Sequence, residues 1–232
     1  MTWQHAAVIG ASGGIGAALV DALRASGCEV HPLMRSAQQT EQFIDIEDEV
    51  SIAAAAQRLS TAGPLDLVIV ATGLLQGGGV TPEKRWNDLS AAGLAKSFAV
   101  NAAGPALVAK HFLPLLPRKG RAGFAALSAR VGSISDNALG GWYSYRASKA
   151  ALNMLVKTLA IELARQRPEA FCTALHPGTV DTGLSQPFQR GVAAEQLFTP
   201  DYAAQRLLEV LGGLGPGDSG RCFAWDGSAI AP

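Results

Sequence analysis

Short, nearly unbroken apolar runs alternate along the chain with longer stretches whose apolar residues recur every three or four positions. The first pattern predicts strands buried on both faces, the second amphipathic helices. HAAVIG, residues 5–10, reads as a strand, the turn ASGGIG follows, and Leu19, Val20 and Leu23 lie at helical spacing between Ala17 and Ser26. Gly27 ends that helix, and CEVHPLM from Cys28 reads as a second strand. Phe43 to Ile46 is predicted as a short third strand with Asp45 near its end, before helical spacing resumes from Glu49 to Leu59. Pro64 introduces the apolar strand DLVIVATG. A glycine-rich loop at 77–79 then leads to a long helical region from about Trp86 to Leu116, whose apolar face is interrupted by Asn101. GFAALS at 123–128, FCTALHPG from Phe171 and GRCFAWDG from Gly220 read as the remaining strands. Helices are predicted over Trp142–Glu162 and from Pro200 to about Leu211.

Strand and helix alternate without a Pro/Ser linker or an internal repeat. The reading is therefore one α/β domain over residues 1–232, with a doubly wound parallel sheet of about seven strands and helices on both faces. Composition narrows the function without changing that picture. Of 232 residues 48% are apolar, and 19 basic residues balance 19 acidic ones, which gives no electrostatic reason to expect nucleic acid or an anionic membrane. Neither a signal peptide nor a membrane span is expected. Three cysteines, Cys28, Cys172 and Cys222, are odd in number and far apart, as reduced thiols of a cytoplasmic protein would be. The four histidines are also scattered, and no metal site is expected.

Two motifs carry chemistry. In the first turn Gly10, Gly14 and Gly16, with Ser12, Gly13 and Ile15 between them, join a strand to a helix. Glycine there lets the backbone approach a pyrophosphate, which the unpaired N–H groups of the helix start attract. Later, Tyr145 and Lys149 stand four residues apart, one turn on the same helical face. A phenol beside an ammonium can move a proton, because a nearby cation draws the phenol pKa of about 10 toward neutrality.

The spacing G-x-x-x-G-x-G, followed by Y-x-x-x-K, resembles the short-chain dehydrogenase/reductase family over essentially the whole chain, and with it a Rossmann-type fold. SARVGSISDN and GGWYSYRASKAALN are similar to its C-factor and sniffer-type carbonyl reductase branch. The resemblance implies a nicotinamide cofactor. Asp45, with Ile46, would reach the adenine, and Gly73 would lie close to the adenine ribose. Asn101 would join the catalytic set, and Pro177, Gly178, Val180 and Thr182 in HPGTVDT would adjoin the nicotinamide. Two departures stand out. Where the family has N-N-A-G, this chain has Val70, Ala71, Thr72 and Gly73, and where it has Ser-Ser, this chain has Ser128 and Ala129. The candidates for the missing hydroxyl are Ser133, on the following loop, and Ser128. Alternation along a strand turns Ser128 to the face opposite residue 129.

The second strand ends Leu33, Met34, Arg35, Ser36, without the acid that would bind the ribose of NAD, so NADP(H) is preferred over NAD(H), with Arg35 on the phosphate. The implied substrate is a small carbonyl or alcohol, walled by Leu139, Trp142, Leu184, Pro187, Phe188 and Leu197. The implied assembly is a homodimer or homotetramer. The alternative is a nucleotide-binding signalling or regulatory protein of the C-factor type with little or no turnover.

Overall fold

The computed structural model describes residues 3–189, 193 and 196–232, with only the backbone described at Phe188. The strands β1 (His5–Ile9), β2 (Glu29–Leu33), β3 (Leu67–Val70), β4 (Ala122–Leu127), β5 (Ala170–His176), β8 (Cys222–Ala224) and β9 (Ala229–Ile230) form one sheet in the order β2-β1-β3-β4-β5-β8-β9. All neighbours are parallel except β8 and β9. A separate parallel pair joins β6 (Thr179–Val180) to β7 (Leu197–Phe198). The central strand β3 reads LVIV and is buried throughout, as a strand covered on both faces must be.

The helices α1 (Gly14–Ala25) and α6 (Pro200–Gly213) cover one face of the sheet through Leu19, Leu23, Leu207 and Leu211. The other face lies under α2 (Glu49–Leu59), α4 (Gly104–Phe112) and α5 (Tyr143–Gln166), packed through Ile52, Val108, Phe112, Leu152 and Val156. From β1 the chain winds outward to β2 and then returns to β3 on the other side. That reversal opens a crevice at the carboxyl ends of the two strands, the position where such sheets hold ligands.

Three expectations need correction. Residues 43–46 do not form a strand, and only Phe43 bridges Met34. Asp45 Oδ1 accepts the N–H of Glu47 and Asp45 O accepts that of Asp48, so the segment turns instead of extending. The seventh strand is β9, returned against β8 by a turn with Gly227 at φ +83°. The long helical stretch is divided. Ser90 caps α3 (Ala91–Phe98) through the N–H of Gly93, a π-helical turn spans Ala99–Ala103, and α4 follows. Pro105 explains the change of register. Its nitrogen is the α-helical donor for the Asn101 carbonyl, and it carries no hydrogen. No helix among the described residues is long and apolar enough to cross a membrane, and Cys28, Cys172 and Cys222 are free and buried.

Candidate active site

The crevice has a volume of about 590 Å³, and its wall includes Gly10, Ser12, Gly13, Met34, Arg35, Ser36, Asp45, Ile46, Glu47, Thr72, Gly73 and Lys96. The N–H groups of Gly10 and Ala11 both donate to Leu33 O, at 2.8 and 3.1 Å, which folds the turn back over β2. Gly10 adopts φ +87°, and a Cβ on Gly16 would stand 2.1 Å from Gly10 O, so neither position admits a side chain without moving the turn. A Cβ on Gly14 would meet Thr182 Cγ2 at 2.8 Å, which brings the start of α1 against the segment after β6. Among the described residues no side chain caps α1, and no acid stands in its first turn, so its N–H groups and partial positive charge remain open to an anion. Thr72 Oγ1 is buried beside the turn without a hydrogen-bond partner among the described residues. At the mouth of the crevice Lys96 Nζ donates to both carboxylate oxygens of Glu47, at 2.6 and 2.8 Å, and Arg35 lies 3.6 Å from the same carboxylate.

Beside the crevice wall at Gly73 stands α5. Lys149 is 2% exposed and donates through Nζ to Leu127 O at 2.7 Å, and its ammonium lies 5.8 Å from the centroid of the Tyr145 ring. Withdrawal from water raises the Tyr145 phenol to about 12 and lowers the Lys149 ammonium to about 8. This corrects the expectation that the cation draws the phenol toward neutrality. Desolvation dominates, and the phenol keeps its proton at neutral pH. Asn101 is fully buried in the π-turn. Its Nδ2 donates to Leu74 O at 2.8 Å and Ser148 Oγ at 3.1 Å, and its Oδ1 accepts the N–H of Leu74 at 2.8 Å. Ser148 Oγ donates to Tyr145 O in turn. A Cβ on Gly73 would lie 3.6 Å from Leu184, 3.9 Å from Asn101 Oδ1 and 3.9 Å from Lys149 Nζ, so these four residues converge.

Residues 4–193 match the family described as short chain dehydrogenase. The chain belongs to that family. It is 39% identical over 144 residues to the C-signal of Myxococcus xanthus, covering 62% of this chain and 81% of that protein. It is 32% identical over 195 residues to the 1-hydroxy-2-glutathionyl-2-methyl-3-butene dehydrogenase of Rhodococcus sp. (strain AD45), covering 82% and 79%. Among solved structures, the NADPH-bound carbonyl reductase from chicken fatty liver superposes with a TM-score of 0.81 at 26% identity, over 100% of both chains. The carbonyl reductase Sniffer of D. melanogaster shares the fold, with a TM-score of 0.82 at 23% identity over 100% of both.

Within this short-chain dehydrogenase both candidate serines make hydrogen bonds to other residues. Ser128 Oγ donates to Asn153 Oδ1 on α5 at 2.7 Å. Ser133 Oγ accepts the N–H of Asp136 at 3.1 Å, and its contacts to Ser135 and to the carbonyl of Pro232 are 3.4 Å long. Gly178, at φ +80°, leaves space for the Phe198 ring, which packs with Tyr202 and Trp225 beneath the Thr179–Val180 segment. Leu184 lies over Gly73, whereas Leu139 is almost fully exposed and the side chain of Phe188 falls outside the described residues.

Several residues of the site were not singled out from sequence: Thr72, Glu47, Lys96 and, most consequential, Glu83. The Glu83 carboxylate is buried and accepts both the N–H and the hydroxyl of Ser144, in the first turn of α5. Its carbonyl accepts the N–H of Trp142 at 2.6 Å. Trp142 adopts left-handed φ 50°, ψ 45°, and this anchor fixes where Tyr145 enters the site. A glutamate in the polar loop TPEKRW carries no sequence signal for such a role. Glu83→Ala leaves the Ser144 donors buried and unpaired. It should lower the unfolding free energy by about 1–3 kcal/mol, measured by urea denaturation, whereas an unchanged midpoint would mean that the carboxylate is not the anchor.

Proposed function

We propose that the chain is a cytoplasmic oxidoreductase that prefers NADP(H) and interconverts a small carbonyl compound and its alcohol, with Tyr145 as the general acid. The observation that carries this reading is the Tyr145–Lys149–Asn101 group gathered behind Gly73, on the wall of a glycine-lined crevice. The residues of the crevice fit a dinucleotide: Gly10, Gly14 and Gly16 leave no space for a Cβ, the start of α1 is open to an anion, and Thr72 Oγ1 lacks a partner among the described residues. Gly10, Ser12, Gly13, Gly14, Ile15 and Gly16 would hold the pyrophosphate, Gly73 the adenine ribose, and Asp45 and Ile46 the adenine. Pro177, Gly178, Val180 and Thr182 would border the nicotinamide. That group, when bound, supplies hydride to a carbonyl carbon or takes it from an alcohol carbon.

The work of the chain itself is proton transfer and positioning. Tyr145 gives its proton to the carbonyl oxygen as negative charge develops there, and a phenol held near 12 is fully loaded for that step at neutral pH. Lys149, held near 8, is poised to return a proton to the phenol. The Asn101 side chain is occupied by Leu74 and Ser148, so its part in a proton relay falls to the backbone carbonyl, which Pro105 leaves without an α-helical donor. Given their hydrogen bonds, we assign neither Ser128 nor Ser133 a place at the substrate oxygen. The exposed apolar residues Met154 and Ile161 on α5 support assembly into a homodimer or homotetramer.

A second reading is favoured by the alanine at 129 and the identity to C-signal: a nucleotide-binding protein with a regulatory role. NADPH binding without turnover across a panel of aldehydes, ketones and quinones would select it over the enzyme.

Two tests address the enzyme directly. Tyr145→Phe should lower kcat by about 10²- to 10⁴-fold, the usual share of general acid catalysis, and near-normal turnover would overturn the assignment. Arg35→Ala and Lys96→Ala should each weaken NADPH binding on the order of tenfold with little effect on NADH, because they remove charge-assisted bonds to the 2′-phosphate. Glu47→Gln, which frees both cations from a competing carboxylate, should shift preference further toward NADPH. Equal dissociation constants for the two cofactors in all of these proteins would refute the preference.

A further inference from the structure

We propose that His5, His31 and Glu29 form a binding site for a divalent transition-metal ion, zinc foremost, at the far end of β1 and β2 from the crevice. Parallel register sets His5 opposite Glu29 and Ala7 opposite His31, so the three side chains emerge on one face of the sheet edge. His5 Nδ1 lies 2.9 Å from the carbonyl of Pro64. A carbonyl only accepts, so Nδ1 carries the proton, and Nε2 of a neutral His5 presents a bare lone pair. That lone pair faces His31 Nε2 at 2.6 Å, and Glu29 Oε1 lies 4.0 Å from the same His31 nitrogen. The three donor atoms all stand within 4.8 Å of one another.

Two imidazoles and a carboxylate on one face are a donor set a metal ion uses, and the imidazole nitrogens, 2.6 Å apart, need to part by only roughly 0.7 Å to span tetrahedral Zn–N bonds of about 2.0–2.1 Å. The outer nitrogen of a ligating histidine is held by a backbone carbonyl, which fixes both the tautomer and the ring orientation. Two imidazoles and one carboxylate supply a single negative charge to a divalent cation. They form a three-ligand set with room for water in the fourth position, matching the borderline-soft preference of zinc. The Glu29 side chain is 71% exposed and that of His31 22% exposed, so an ion enters from solvent and the carboxylate is free to close on it. A hydrogen bond between the two imidazoles would satisfy both nitrogens by itself; the carboxylate converging on the same point is what the pair alone does not need. The ion would tie the edge strand β2 to β1 and would stabilise the native sheet in proportion to its occupancy.

The test uses the full chain without an affinity tag, stripped by chelator and titrated with Zn²⁺ against a chromophoric competitor, with Co²⁺ as a spectroscopic probe. One equivalent should bind with visible Co²⁺ bands and no thiolate charge-transfer band, and Zn²⁺ should raise the melting temperature. His31→Gln should weaken binding at least tenfold and abolish that thermal shift. Glu29→Gln, an exposed change that leaves the fold intact, should weaken binding as well. Failure to bind a saturable equivalent overturns the site, and so does equal affinity in the wild type and both variants. Either result means that the two imidazoles share only a proton.

Discussion

Burial of one ammonium group at the end of β4 governs the geometry around Tyr145. Lys149 gives up water for the Leu127 carbonyl, and that bond requires α5 to lie directly on the sheet. Gly132 makes the approach feasible, since a Cβ there would stand 2.8 Å from Lys149 Cβ. Asn101 closes the arrangement from the other side by binding the N–H and the carbonyl of Leu74 and the Ser148 hydroxyl. The same loss of solvent acts on both titrating groups in opposite directions, lowering the lysine and raising the tyrosine. Both shifts favour the neutral phenol and make the lysine a readier proton donor than an exposed one.

The opposite half of the crevice depends on what is missing. Side chains are absent at Gly10, Gly14 and Gly16, an acid is absent from the first turn of α1, and the end of β2 carries Arg35 where an acid would bind ribose. Glu47 occupies the cations at the mouth, so a 2′-phosphate would have to compete with a carboxylate already in place. The charge balance at that mouth, more than Arg35 alone, sets the cofactor preference we propose.

Much of this was legible in the sequence, for local reasons. Apolar runs report burial, and six of the seven predicted strands lie within the sheet. The glycine turn and the Tyr145–Lys149 spacing are short-range patterns, readable without any tertiary contact. What failed or was missed is tertiary. Phe43–Ile46 has strand-like residues, but the Asp45 turn diverts it, and β9 is too short to announce itself. Glu83, Glu47 and Lys96 look like surface charges until a distant element is brought against them. His5 and His31 lie 26 residues apart, which is no ligand spacing, and only the register of two parallel strands brings them together.

The proposed chemistry depends on Tyr145 standing in the free protein as a neutral, proton-loaded phenol. An ultraviolet difference titration of the wild type against Tyr145→Phe reads that ionisation directly. The structure predicts no phenolate signal from Tyr145 until the pH approaches about 12, above the range of an ordinary tyrosine. A Tyr145 phenolate forming near neutral pH in the free protein would contradict it.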